Sequence, residues 1–202
     1  MALVAETVLR EYLNAVGITT TTISASALSL IESQAAGQVE GYLQRNLAIG
    51  TYTQRFDIEE GTDTLFLQNF PLQNIVALTN DGLLVASGDY YSYSDEGMIK
   101  LADRLALLDR RGTLTPFFAE GKRMAVVTYS AGYTTIPPDI QNVVINLVAR
   151  KLSGSGTSAL TGEKIGDYSY TMNPTLAGAS GGFTADELII LNRYKPQYMW
   201  WE

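Results

Sequence analysis

Apolar residues along the chain repeat with two different periods, and each change of period marks a change of element. Leu9, Tyr12, Leu13 and Val16 recur at helical spacing, and Gly17 stands where an N-terminal helix within 1–17 would stop. The threonine run at 18–22 is β-branched, disfavours helix and reads as a linker. Over 26–47, Leu28, Ile31, Ala35, Val39, Tyr42 and Leu43 hold one stripe of a repeat of about 3.6 residues, with Ser24 or Ser26 available as the cap. Ala35, Ala36, Gly37 and Gly41 are small enough to admit a neighbouring helix, although each glycine costs an isolated helix about 1 kcal/mol.

From Thr51 the period drops to two. Tyr52, Gln54, Phe56 and Ile58 alternate, and Gly61 to Asp63 form a turn into the next strand. Asn80, Asp81 and Gly82 mark a hairpin, with glycine supplying positive φ. Residues 89–94 and 97–101 predict two more strands, and 122–130 is the richest in β-branched residues. About six short strands between helices predict a small sheet or sandwich. Leu101, Leu105 and Leu108 are spaced for a helix, and a glycine and a proline follow, so 102–121 predicts a short helix plus loop.

Pro137, Pro138 and Asp139 then open a helix over 138–152. Proline at the first turn loses no hydrogen bond, and the aspartate complements the positive helix end. Ile140, Val143, Val144, Leu147 and Val148 form one face, and Ile145 and Ala149 extend it round the side. Residues 153–162 and 176–182 are rich in glycine, serine and alanine and predict flexible runs, with a strand or ordered arm between them. Thr184 and Glu187 are spaced as a capping box for a last helix, 184–194, ended by Pro196. The fold class expected is α+β: a helical core of helices 26–47, 138–152 and 184–194, an inserted antiparallel β region over 51–130, and an extended C-terminal tail. The divisions expected are an N-terminal helix at 1–17, a main domain at 26–195 and a tail at 196–202.

Composition narrows the function. The 202 residues are 46% hydrophobic and 17% charged, as in a folded globular protein. No apolar run approaches the roughly 18 residues that cross a bilayer, so no membrane partner is expected. Acids in the first sixteen residues argue against a secretion signal and for a protein that stays in the cytoplasm where it is made. Cysteine and histidine are both absent, which removes thiol nucleophiles, histidine bases and zinc sites built on either. The net charge of −7, from 14 basic and 21 acidic side chains, disfavours gripping phosphate backbones. The basic pairs Arg110–Arg111 and Lys122–Arg123 lack interleaved aromatics and read as solvated loop charge.

Motifs for phosphate, dinucleotide or acyl-transfer chemistry are missing. Glu59–Glu60 and Asp95–Glu96 are adjacent acids in turns, whereas a glycosidase needs two carboxyls facing across a cleft. Asp57, Asp63, Asp81 and Glu96 lack the spacing of a calcium loop. No catalytic residue, metal or cofactor is expected. Tyr90, Tyr91 and Tyr93 suit a binding surface, but alternation would also divide them between the two faces of a strand.

The run 125–152 carries a recognisable phrase: Val127, Tyr129, Ala131, Gly132 and Tyr133 end a strand, and Pro137 or Pro138 starts an apolar helix. Ile165, Gly166, Asp167 and Ser169 follow as an arm, and a leucine-rich helix from Leu188 ends at Tyr194. Across most of 26–195 this resembles the head–tail connector proteins of tailed bacteriophages, also called adaptor or head-completion proteins. The β region is longer than in the compact members. The resemblance implies a structural virion protein, without catalysis or cofactor, made in the host cytoplasm and placed in the neck between capsid and tail. It implies a homo-oligomeric ring, typically of about twelve copies, beneath the portal protein. Such a ring extends the channel for passing DNA without sequence-specific binding, and carries a stopper or tail-completion protein. Ile145, Val148, Ala149, Ile165, Asp167 and Tyr168 are the candidates for contact between subunits.

Both tryptophans of the chain lie at its end, Trp200 and Trp201. The resemblance implies that the C-terminal segment engages the portal, so Tyr194, Pro196, Tyr198, Met199, Trp200 and Trp201 are the docking candidates. Burying about 200 Å² per indole at about 25 cal/mol/Å² gives up to about 5 kcal/mol each before ordering costs. Folding the indoles back onto their own domain is the competing expectation. Other neck or tail-completion proteins, and a module whose tyrosines bind a glycan or host surface, are the alternative functions.

Overall fold

The computed structural model describes residues 3–102, 107–108, 114–154, 162–165, 168–171 and 182–196. It is an α+β protein whose contacts divide it into two compact units, one from Met1–Leu43 with Ile136–Lys195 and the other from Gln44–Thr135 with Pro196–Glu202.

The first unit holds helices α1 (Glu6–Ala15), α2 (Ala25–Leu43), α3 (Pro138–Gly154) and α4 (Ala185–Asn192). Gly17 ends α1 at φ +84°, and the amides of Gly17 and Ile18 donate to Asn14 and Leu13 carbonyls, a Schellman closure. Beyond it Arg10 donates to the carbonyls of Thr20 and Ile23, and Asn14 accepts from Thr20, so the linker 18–22 is pinned to the helix it leaves. Ser24 caps α2 through the Ala27 amide. Leu9, Leu13, Leu28, Ala35, Val39, Leu43, Ile140, Val144, Val148 and Leu191 are buried, and α2 packs on α3. The glycines do not serve that packing: Gly37 and Gly41 are exposed, and a Cβ at either would meet nothing within 4 Å. Ala35 and Ala36 are the small residues of α2 that are buried.

Glu32 is the unexpected member of α2, a carboxylate only 2% exposed. Its Oε1 accepts from the amides of Leu3 at 2.7 Å and Val4 at 3.2 Å, which fastens the buried start of the chain to α2. A short hairpin, β10 (Gly162–Ile165) with β11 (Tyr168–Thr171), is where the sequence predicted a strand or arm.

In the second unit β1 (Gly50–Ile58), β3 (Leu72–Asn80), β4 (Leu83–Leu84) and β9 (Gly121–Ala131) form an antiparallel sheet ordered β1-β9-β3-β4. A second sheet is ordered β2-β6-β5, from Thr64–Phe66, Met98–Leu101 and Tyr90–Tyr93. Ile58, Leu65, Leu78, Ile99, Leu101, Val127 and Tyr129 belong to one buried cluster, so the two sheets share a core. The hairpin at Asp81-Gly82 forms as read, with φ of +48° and +76°.

One expected element is corrected. Leu107–Leu108 is not helical: it forms β7 and pairs with β8 (Leu114–Thr115). Leu101, counted in the helical spacing, is already committed to β6 and buried in the shared core. A leucine repeat three and four apart also fits short extended segments, and tertiary context decides between them.

The phrase at the end of β9 has a packing cause. Val127, Tyr129 and Ala131 point into the core with no exposure. Gly132, at φ +112°, lies against residues 48–49, where an added Cβ would sit 2.5 Å from the Ala48 carbonyl oxygen. The amides of Gly132 and Tyr133 donate to Pro71 and Leu47 carbonyls. Only glycine fits there.

Candidate functional site

The segment that carries the C-terminal tail is built by local capping and then bolted down. Thr184 accepts from the Glu187 amide, and Glu187 returns a carboxylate oxygen to the Thr184 amide, a complete capping box. The same carboxylate takes two hydrogen bonds from Arg150 of α3, at 2.7 and 2.8 Å, and Arg150 also donates to the Gly182 carbonyl. Burial alone would raise the Glu187 pKa, but the hydrogen bonds and charge of Arg150 and the Thr184 donors outweigh it and hold the carboxyl below its ordinary value. Tyr42 of α2 stacks obliquely on Phe183, donates to Asn192, and lies under the Lys195 ammonium at 4.1 Å.

Tyr194 completes the attachment. Its hydroxyl lies 2.8 and 2.6 Å from the two carboxylate oxygens of Asp139, in the first turn of α3, and Asp139 also accepts from the Ile140 amide. Pro196 follows and is buried.

The predicted site residues divide accordingly. Tyr194 belongs to this mount, Pro196 is buried and groups with the second unit, and Tyr198, Met199, Trp200 and Trp201 lie outside the described residues. Ile145 and Val148 are 6% and 0% exposed in the single chain, which leaves them little surface for a second copy, whereas Ala149 is half-buried. Ile165 and Tyr168 face each other across the β10–β11 ladder, and Asp167 is outside the described residues.

Another surface comes from the sheet β2-β6-β5. Its register sets Tyr93 opposite Met98 and Met98 opposite Phe66, with Tyr91–Lys100–Thr64 as the next row. Alternation buries Leu65, Ile99 and Leu101 and leaves Tyr91, Tyr93 and Phe66 exposed at 59%, 41% and 44%. Lys100 pairs with Asp63 at 3.6 Å on this face.

The carboxylate pairs come to nothing chemical. Glu59, Glu60, Asp95 and Glu96 are exposed in turns, and Asp57 accepts from the Arg123 amide. Among the described residues no group of three acids is placed to hold a metal ion, and no helix is long and apolar enough to cross a membrane. Sequence reasoning singled out Asp139 and Tyr194 separately, as a complement to the positive helix end and for tail docking, and missed that they meet. The Arg150–Glu187 pair and the buried Glu32 left no signal beyond the capping-box spacing.

A family model described as head completion protein matches residues 7–152. No curated protein sequence matches the chain. Among solved structures, it resembles a chain from the neck of an empty GTA particle computed with C6 symmetry. The two are 15% identical, with a TM-score of 0.57 over 96% of this chain and 89% of that one. A chain from the neck of the native particle, computed with C12 symmetry, is 17% identical with a TM-score of 0.56, over 96% and 88%. A chain from the virion of the native gene transfer agent particle is 15% identical with a TM-score of 0.57, over 96% and 89%. At these identities the likeness is one of fold. The family match spans most of the sequence, and by it the chain belongs to the head completion proteins, structural head–tail connector components of a virion and not enzymes.

Proposed function

We propose that the protein forms a closed ring in the virion neck, beneath the portal, that extends the channel for DNA and offers the platform for a stopper or tail-completion protein. The observation that carries this reading is the likeness, over 96% of the chain, to subunits of necks computed with C6 and C12 symmetry. The net charge of −7 suits a conduit that DNA must pass without sticking. Subunits meet through Ala149 and the hairpin arm carrying Ile165, Asp167 and Tyr168, with a smaller share from Ile145, while Val148 supports that face from inside the unit. Tyr198, Met199, Trp200 and Trp201 dock on the portal, with Tyr194 and Pro196 leading into them. Aromatic anchors suit such a role, and a ring presenting many tails together turns a weak single contact into firm attachment. Subunits are made in the host cytoplasm and join heads there.

The test mixes the full-length chain with purified portal and inspects the product by electron microscopy and co-sedimentation. Rings seated on portal are expected, and deletion of 197–202 should release them. Absence of any annular assembly, with or without portal, would overturn the reading.

The exposed row Tyr93–Met98–Phe66 with Tyr91 favours a second reading, recognition of a glycan or host surface. Tyr91→Ala with Tyr93→Ala should then abolish binding on a glycan array while leaving ring formation intact.

A further inference from the structure

We propose that the joint outward face of α1 and α3, centred on Tyr12, is a contact surface for a neighbouring copy of this chain; this rests on the ring reading above. Helix α1 buries less apolar surface than it carries. Its polar arc runs through Glu6, Thr7, Arg10, Glu11 and Asn14, and Glu6 pairs with Arg10 at 2.8 Å. The apolar arc opposite divides in two. Leu9 and Leu13 are buried in the helical unit, whereas Val8, Tyr12 and Val16, each four residues from the next, stay exposed at 44%, 37% and 50%. A helix that packed only on its own unit would need the leucine line and no second apolar line beside it.

Helix α3 continues this surface. The Tyr12 hydroxyl donates to Asn146 Oδ1 at 3.4 Å, which sets the exposed line of α1 beside the α3 line Asn142, Asn146 and Ala149. Those three are spaced four and three apart and so share one helix face; Asn142 is exposed and the other two are half-buried. None of the six side chains is charged, although the chain carries a net −7. That absence points to the occupant. A nucleic acid would need cations here. Two copies of an acidic chain repel as wholes, and they can meet where no acid confronts another. Contact centres between proteins are poor in charge and rich in tyrosine, and an asparagine amide can both donate to and accept from a neighbour. A closed ring gives every subunit two different flanks. The α1–α3 face supplies one of them, and Ala149 joins it to the contact already proposed.

The test replaces Tyr12 by benzoylphenylalanine, which keeps an aromatic ring and on irradiation bonds covalently to whatever lies against it. In rings of the full-length chain assembled on portal, the expected product is an adduct of two copies of the chain. An adduct with portal, or no adduct in intact rings, would overturn this contact and leave the ring standing. In parallel, Val8→Glu and Val16→Glu each put a charge on the exposed line and should abolish rings, with circular dichroism as in the parent. Thr7→Glu adds the same charge on the solvated arc, one residue from Val8, and should leave rings intact. Parent-like rings in both valine variants, or an equal loss in Thr7→Glu, would also overturn the contact. The photochemical arm adds no charge and decides the matter if a glutamate variant fails to fold. If the parent chain forms no annular assembly, the ring reading fails and this inference with it.

Discussion

Gly132 shows how a single position can be fixed by its neighbours on the backbone. Its φ of +112° is outside the range of L side chains, and the Ala48 carbonyl fills the space of a methyl group. Gly132→Ala should cost about 3 kcal/mol, read as a lower midpoint in urea unfolding. Glu187 makes a different prediction, in pH. Its folded pKa lies below the ordinary 4.5, so its contribution is complete above the unfolded value and is lost as pH falls through and below 4.5. Glu187→Gln should therefore lose about 2 kcal/mol at neutral pH, and the gap to the parent should close in acid. A gap of constant size from pH 7 to pH 3 would contradict the assigned cause.

Among elements, α2 carries the clearest conflict between local cost and packing. Gly37 stands inside the helix and Gly41 in its last turn, both facing open space, and the chain's own core gains nothing from them. Gly37→Ala and Gly41→Ala should each raise the stability of the isolated chain by about 0.5–1 kcal/mol, measurable by thermal or urea unfolding. The β unit is governed by β9, paired on both sides, with β1 and with β3, over most of its length. Its inward residues Ala125, Val127, Tyr129 and Ala131 are all without exposure. Tyr129 also spends its hydroxyl inside, donating to Gln54 and accepting from the Asn69 amide. The strand with the strongest β-branched signal is thus the one at the centre of the sheet.

For the whole molecule the governing quantity is charge. A chain of net −7 repels the phosphate backbone on balance, so duplex DNA should migrate unretarded in its presence at about 0.1 M salt. A shifted band would contradict a passive conduit. The same scale explains why a structural virion protein can do without histidine and cysteine. A head completion protein needs surfaces that meet copies and partners, and such surfaces are made of apolar and polar packing groups.

The sequence by itself determined the elements, because helix caps, glycine turns and apolar periods act within a few residues. The Gly17 stop, the Ser24 cap, the Asp81-Gly82 hairpin and the Thr184–Glu187 capping box are all local, and all four form as read. It also carried the phrase from Val127 to Tyr133 through which the family could be recognised. Only the tertiary structure decided which distant side chains meet. Asp139 and Tyr194 are 55 positions apart, Arg150 and Glu187 are 37 apart, and Glu32 reaches back 29 to hold the chain's start. No spacing rule connects such pairs, since the geometry that joins them exists only after the helices have packed. The same holds for Leu107–Leu108, whose leucine spacing fitted a helix until pairing with Leu114–Thr115 made it a strand.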